Sequence, residues 1–150
     1  MTANKTITVF LVDDNALYLK TLEATFRSKE YYNIFTFATG ELCLEKLSLK
    51  PDIIILDYYL NGILKDAING LETLVKIRLV DPHVPIVILS VENDIEVAKN
   101  CIKHKASEFI VKGDISFARL REIITSIFID KRSEKNLIQH LNKAIAPDPA

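Results

Sequence analysis

Three short segments of the chain are apolar along nearly their whole length, and this pattern constrains the fold more than any other feature. They are Thr6–Val12, Ile53–Leu56 and Ile86–Leu89. Successive side chains of a β-strand point to opposite faces of its sheet, so a strand that is apolar throughout must be covered on both faces. Such strands are typical of a parallel sheet that lies between two layers of helices.

Segments of helical period follow these strands and two more mixed ones, Asn33–Phe37 and Glu108–Val111. The predicted helices cover residues 15–29, 41–47 and 70–80, a fourth segment that ends near 104, and a fifth segment from 116 onward. Asn93 or Asp94 could cap the fourth helix, and Ser116 the fifth. Five alternating βα units predict an α/β fold, a doubly wound five-stranded parallel sheet.

The first and last predicted helices carry apolar faces that should pack on the sheet. Leu17, Leu22 and Phe26 mark the face of the first helix, and the last helix presents a longer set. That longer set is Leu120, Ile123, Ile124, Ile127 and Phe128. Cys43 and Cys101 have no metal or redox spacing and are expected to be buried as small hydrophobic residues.

Bulk composition favours one domain and excludes some partners. The chain has 150 residues with a net charge of −1, so no basic field indicates nucleic acid or an anionic membrane. No apolar run reaches the roughly 18 residues that a membrane span needs. The first residues lack a signal-peptide pattern, so we expect a cytoplasmic location.

The domain is expected to occupy residues 5–130, followed by a C-terminal extension over 131–150. An amphipathic patch in this extension, Leu137, Ile138, Leu141 and Ile145, could lengthen the last helix or form a separate one. Pro147 and Pro149 indicate a frayed end. A helix-turn-helix unit needs about three helices, so we expect no direct DNA binding.

Polar residues stand at the carboxyl ends of four strands, where doubly wound sheets bind their ligands. Asp13 and Asp14 follow the first strand, Asp57 the third, Ser90 the fourth and Lys112 the fifth. Because parallel strands end at the same edge of a sheet, we expect three carboxylates, a hydroxyl and an ammonium group to meet in one crevice.

This combination of groups indicates phosphoryl transfer to a carboxylate. Close carboxylates repel one another unless a cation intervenes, and Mg²⁺ suits them because it accepts a few carboxylates and keeps several waters. The ion would also reduce repulsion between a carboxylate nucleophile and a phosphoryl group. Asp57 would be the nucleophile, and Lys112 and Ser90 would contact phosphoryl oxygens.

The acidic pair, Asp57, Ser90 and Lys112, in this order and at these strand ends, resemble the receiver domain of two-component response regulators. The resemblance covers about residues 5–130, in the manner of a single-domain chemotaxis regulator. It implies the flavodoxin-like strand order 2-1-3-4-5. It also implies that a histidine kinase or histidine phosphotransfer protein donates the phosphoryl group to Asp57, and that catalysis is limited to self-phosphorylation and self-dephosphorylation.

The resemblance also assigns roles to individual residues. Asp14, Asp57 and the backbone carbonyl of Tyr59 would bind Mg²⁺ directly, and Asp13 through a water. Ser90 and Phe109 would form the switch that reshapes the face built by the fourth helix, the fifth strand and the fifth helix. An unknown downstream protein, or a second copy in a homodimer, would bind that face.

Three features depart from the family pattern. The loop over residues 58–69 is about five residues longer than usual and lacks a proline, so it could shield the site, recognise a partner or be a tolerated insertion. Val91 replaces the usual alanine or glycine and should narrow the approach to Asp57. Gly113 replaces the proline that follows the family's lysine, so the Lys112–Gly113 peptide could be trans, or cis at a cost.

Other interpretations remain open at this point. Asp13 and Asp14 could simply cap the first helix. The chain could be a flavodoxin-like cofactor-binding protein on the same fold, although its acidic first loop would repel the cofactor's phosphate. An aspartyl-phosphate phosphohydrolase would need a general acid two residues beyond the nucleophile. That position holds Tyr59, which suits the role poorly. The chain could also be a degenerate receiver that serves as a phosphorylation-independent docking module.

Overall fold

The computed structural model describes residues 6–27 and 32–145, apart from the side chains of 131–136 and 143–145. The strands are β1 Ile7–Val12, β2 Tyr32–Phe37, β3 Ile53–Asp57, β4 Ile86–Ser90 and β5 Glu108–Val111. The helices are α1 Ala16–Arg27, α2 Gly40–Glu45, α3 Gly70–Val80, α4 Ile95–Lys103 and α5 Ser116–Ile145, with a 3₁₀ turn at Leu47–Leu49.

The five strands form one parallel sheet in the order β2-β1-β3-β4-β5. This confirms the predicted α/β, doubly wound sheet and its strand order. Strands β3 and β4 are buried at every position and are apolar up to their last residues, Asp57 and Ser90, as expected for the middle of a sheet that has helices on both faces.

Alternating side chains of the strands supply two separate apolar cores. Phe10, Ile54 and Ile88 belong to the core on one face, which α2, α3 and α4 cover. Val9 and Ile55 belong to the other, which α1 and α5 cover. The period-2 alternation of the strands therefore fixes which helices each strand residue meets.

The predicted apolar face of α1 is wrong at one position. Leu22 and Phe26 are buried, but Leu17 is 76% exposed. Tyr18 packs in its place, because residues four apart lie on the same face of a helix and Tyr18 precedes Leu22 by four.

Helix ends also differ from the prediction in detail. Asp94, one of the two residues proposed for α4, accepts hydrogen bonds from the amides of Glu96 and Val97. Ser116 was expected to cap α5; it is the first helical residue, and its hydroxyl donates to the carbonyl oxygen of Gly113 at 2.7 Å.

The C-terminal segment continues α5 as one helix up to Ile145. Of the two arrangements considered for the amphipathic patch, this is the extension of the last helix. Pro147, Pro149 and the frayed end expected there lie outside the described residues. Within the part of the chain that is described, no helix is long and apolar enough to cross a membrane.

Candidate functional site

Three carboxylates meet at the carboxyl edge of the sheet. Asp13 and Asp14 directly follow β1, and Asp57 is the last residue of the neighbouring strand β3. Each offers one oxygen, and these oxygens lie within 4.8 Å of one another. Asp13 and Asp57 are buried, at 1% and 4% exposure. The structure therefore brings together the acidic residues that the sequence placed at separate strand ends.

A different residue caps α1. The side-chain oxygen of Asn15 accepts the amide of Tyr18 at 3.1 Å, as an N-cap does. Asp13 accepts the amide of Asn15 at 2.8 Å, which lies before the helix. Helix capping therefore does not explain the acidic pair, and the interpretation of Asp13 and Asp14 as the cap of α1 is wrong.

Lys112 supplies the positive charge of the site. Its Nζ lies 2.8 Å from Asp13 Oδ2 and 3.4 Å from Asp57 Oδ1, and its side chain is 13% exposed. Burial lowers the pKa of Lys112, but the hydrogen bond to Asp13 and the charge of Asp57 outweigh it and raise the pKa overall. The ammonium group is therefore charged at neutral pH. The Lys112–Gly113 peptide is trans.

Burial and mutual repulsion make the acidic cluster electrostatically unfavourable. The pKa of Asp57 rises from 3.8 to about 7, first because the group is buried and then because Asp13 repels its charge, while Lys112 partly offsets both effects. Asp14 adds to the repulsion. One ammonium group thus faces three carboxylates, and a further cation would relieve the repulsion.

The donor set fits a small divalent cation. Mg²⁺ binds oxygen at about 2.0–2.1 Å, so oxygens on one ion lie roughly 3–4 Å apart. The spread of up to 4.8 Å among the three carboxylates suits two direct ligands with the third reached through a water. Asp13 is the natural candidate for the indirect position, because its two oxygens already accept from Asn15 and Lys112.

The long loop over residues 58–69 lies against the acidic cluster. The amide of Gly62 donates to Asp14 Oδ2 at 3.1 Å, and the amide of Ile68 donates to Glu41 Oε1 at 2.7 Å. The hydroxyl of Tyr59 donates to Glu92 Oε2 at 3.1 Å. The loop is thus attached at both ends and at its contact with Asp14. The role of the Tyr59 carbonyl as a metal ligand stays a prediction.

The two predicted switch residues lie on adjacent strands. Ser90 ends β4 and is 1% exposed, and its hydroxyl accepts the amide of Glu92 at 3.2 Å. The backbone amide of Lys112 donates to the carbonyl of Ser90 at 2.7 Å, which fixes the end of β5 beside it. Phe109 lies on β5, half-buried against the core that α2, α3 and α4 cover.

Tyr18 belongs to the site but was not among its predicted residues. Its ring centroid lies 4.1 Å from Nζ of Lys112, within cation–π range. The signal was present in the sequence, since Tyr18, Leu22 and Phe26 repeat at intervals of four, but Tyr18 was not counted on that face.

Comparison with known proteins shows that the chain is similar to response regulators and their receiver domains. The family model described as "Response regulator receiver domain" matches residues 9–125. The chain is 28% identical to the two-component response regulator ARR7 of Arabidopsis thaliana over 149 residues, 90% of this chain and 69% of that protein. It is 30% identical to the chemotaxis protein CheY of Thermotoga maritima, over 68% of this chain and 82% of that protein.

Two further matches show how much of a longer regulator and of a solved structure the chain covers. The chain spans 25% of the length of the transcriptional regulatory protein ZraR of Salmonella typhimurium, to which it is 26% identical. Among solved structures, CheY in the CheX–CheY–BeF₃–Mg²⁺ complex of Borrelia burgdorferi is 27% identical, with a TM-score of 0.70, over 83% of this chain and 90% of that one.

Proposed function

Because the chain belongs to the response regulator receiver domain family, we propose that it takes a phosphoryl group onto Asp57 and switches the binding of a partner protein. One observation carries the proposal. Asp57 shares a buried crevice with Asp13 and Asp14, their oxygens within 4.8 Å, and Lys112 Nζ lies 3.4 Å from Asp57. This arrangement supports the proposal, because three carboxylates and one ammonium group lie together at the carboxyl edge of the sheet.

The proposed step transfers phosphorus from nitrogen to oxygen. A carboxylate oxygen of Asp57 attacks the phosphorus of a phosphohistidine on a histidine kinase or phosphotransfer protein. The P–N bond breaks, its electron pair stays on the imidazole nitrogen, and that nitrogen takes up a proton from solvent to give a neutral histidine. Hydrolysis by water later returns the Asp57 carboxylate and inorganic phosphate. Catalysis is confined to these reactions of the chain itself.

We assign metal binding and phosphoryl contacts to different residues of the crevice. Asp14, Asp57 and the Tyr59 carbonyl would hold Mg²⁺, with Asp13 acting through a water. When bound, the ion supplies charge neutralisation between the nucleophile and the phosphoryl oxygens. Lys112 contacts one of those oxygens and Ser90 another.

Recognition of the phosphorylated state would use the face formed by α4, β5 and α5. Ser90 would shift toward the new phosphoryl group, and Phe109 would turn inward behind it. An unknown downstream protein or a second copy of the chain would read the change. We place the receiver domain at residues 5–130 and the extension at 131–150, and we propose a cytoplasmic location, where kinase-derived phosphohistidine is formed.

Intact-mass spectrometry after incubation with acetyl phosphate and Mg²⁺ tests the proposal. The wild type should gain the mass of one phosphoryl group, and Asp57→Asn should gain none. Asp66→Asn, a change at an exposed carboxylate of the long loop, serves as the matched control and should react like the wild type. Excess EDTA should abolish the gain.

The opposite outcome has a clear meaning. A wild type that stays unmodified by acetyl phosphate and unaltered by BeF₃⁻ with Mg²⁺ overturns the proposal. Partner binding that is the same for wild type and Asp57→Asn under phosphorylating conditions would instead identify a phosphorylation-independent docking module.

A further inference from the structure

We propose that Tyr18 is a positioning residue whose ring face holds the Lys112 ammonium group between Asp13 and Asp57. The inference rests on the proposed phosphoacceptor function, because it assigns a residue on α1 to the lysine of that site. Tyr18 would act through Lys112, without touching the phosphoryl group itself.

The geometry surrounds the ammonium group on two sides. The Tyr18 ring centroid lies 4.1 Å from Lys112 Nζ, and Asp13 Oδ2 lies 2.8 Å from the same atom. Phe117, in the first turn of α5, packs on Tyr18 with ring centroids 5.8 Å apart and an interplanar angle of 33°. Tyr18 is therefore fixed by its own helix and by a second aromatic ring.

Lys112 gains from such a support because the other contacts of its ammonium group are ion pairs with Asp13 and Asp57, at the end of a flexible stem. Its stem has four rotatable methylene groups, and a lysine holds its charge at a point without the directional fork of an arginine. The following residue, Gly113, is exposed, and a Cβ built there would have no atom within 4 Å. The ammonium group lies 2.8 Å from Asp13 and 3.4 Å from Asp57, and a ring face on another side would oppose its movement away from both carboxylates.

The ring, and not the hydroxyl, accounts for this effect. In the described part of the chain, the buried Tyr18 hydroxyl makes no well-formed hydrogen bond, although the Ser116 hydroxyl lies beside it. Burial raises the pKa of Tyr18, and the nearby Ser116 hydroxyl lowers it less, so the ring stays uncharged at neutral pH. Phenylalanine keeps the ring face and removes a buried polar atom, which makes it the conservative variant.

Phosphorylation rates with acetyl phosphate and Mg²⁺, followed by intact mass, distinguish the effect of the Tyr18 ring from that of its hydroxyl. We expect Tyr18→Leu to react about tenfold more slowly than the wild type, because the ring–ammonium attraction is lost. Tyr18→Phe should recover most of that rate. In a Lys112→Met background, adding Tyr18→Leu should change the remaining rate by less than about twofold, because its effect runs through the lysine.

Two results would overturn the inference. One is an equal loss of rate from Tyr18→Leu with and without Lys112, and the other is a Tyr18→Phe variant as slow as Tyr18→Leu. Melting curves of each variant identify any loss that is due to unfolding.

A second measurement is independent of phosphorylation. In the unmodified wild type, the ring should shift the NMR signals of the Lys112 ε-methylene upfield, and Tyr18→Leu should remove that shift. Absence of the shift overturns the placement of the ring. Its presence in a protein that acetyl phosphate leaves unmodified would refute the proposed function and the effect on rate, but not the contact itself.

Discussion

Asp57 is the residue at which stability and the proposed function oppose each other most clearly. It is 4% exposed, Asp13 and Asp14 repel its charge, and Lys112 offsets only part of the cost, so its pKa rises to about 7. A group that is hard to ionise in the folded protein makes folding less favourable once it is ionised. A bound cation would relieve this repulsion between the carboxylates, which favours its binding.

We predict that Asp57→Asn stabilises the metal-free protein increasingly as the pH rises. The folded-state pKa of about 7 lies above the ordinary value of 3.8, so the wild type loses stability between about pH 4 and pH 7. The amide does not ionise, and its advantage should reach on the order of a few kcal/mol at pH 8. Thermal unfolding in EDTA from pH 5 to pH 8 measures the difference.

The control for this experiment is Asp66→Asn, which changes an exposed carboxylate of the same charge. Its melting temperature should follow that of the wild type at every pH. An advantage of Asp57→Asn that is constant from pH 5 to pH 8 would contradict the assigned pKa.

Val91 gives a second prediction, about access to Asp57. This residue is 63% exposed and directly follows Ser90, the last residue of β4. We expect Val91→Ala to react with acetyl phosphate about two- to tenfold faster, a change of up to about 1.4 kcal/mol in the barrier. A time course of intact mass measures both rates, and equal rates would show that Val91 does not restrict small donors.

Individual side chains show where sequence reasoning reaches its limit. Asp13, Asp57 and Lys112 could be predicted to converge, because each ends or follows a strand of one parallel sheet. The contact between Tyr18 and Lys112 was missed, because it depends on which face of α1 turns toward the sheet and Tyr18 was not counted on that face. An error of one residue in the predicted apolar face turned Leu17 inward and Tyr18 outward, whereas Leu17 is 76% exposed in the structure.

The start of α3 is fixed by a close approach between helix and strand. Gly70 begins this helix, and its amide donates to the carbonyl of Tyr58 at 2.8 Å. A Cβ at Gly70 would lie 2.4 Å from the carbonyl oxygen of Asp57 and 2.6 Å from Cα of Tyr58, far inside van der Waals contact. The backbone of Asp57 therefore has a helix end directly against it.

We predict that Gly70→Ala destabilises the protein by about 1–3 kcal/mol, because the atoms it meets are backbone and cannot turn aside. Gly113→Ala is the matched control, since a Cβ there has no atom within 4 Å. It should change the free energy of unfolding by less than about 0.5 kcal/mol. Urea unfolding measures both, and equal stabilities would contradict the close approach.

Strand positions followed from the sequence to within a residue or two, and helix ends did so less well. A strand that is buried on both faces has an apolar run with sharp limits, as in Ile53–Asp57. Helix α2 ends at Glu45, earlier than the predicted 47, and a 3₁₀ turn with Lys50 at φ 54° follows it. A short turn of this kind has no repeating pattern of apolar residues, so the sequence pattern could not predict it.

The molecule as a whole consists of a packed α/β body and one helix that leaves it. Ile124 in α5 is fully buried, whereas Ile129 is 55% exposed. Further along the helix, Leu137, Ile138 and Leu141 are between 50% and 58% exposed. The family match ends at residue 125, close to the point where burial ends.

We predict that a variant ending at Asp130 keeps the stability of the body to within about 1 kcal/mol, because the described apolar side chains that it loses are already exposed. A variant ending at Glu122 should unfold or lose several kcal/mol, because it also removes Ile124 from the core. Urea unfolding of the two compares them. A large loss in the longer variant would show that the extension packs on the domain.

Helix α5 starts four residues after Lys112, and its 30 residues correspond to about 45 Å of rigid rod. The core holds its first turns as far as Phe128, and the remaining turns, about 25 Å long, project beyond it. A tilt of about 5° in the packed turns would move the far tip by roughly 2 Å relative to them. Under the proposed function, a small shift beside Asp57 would therefore become a larger displacement at the C-terminal end of the helix.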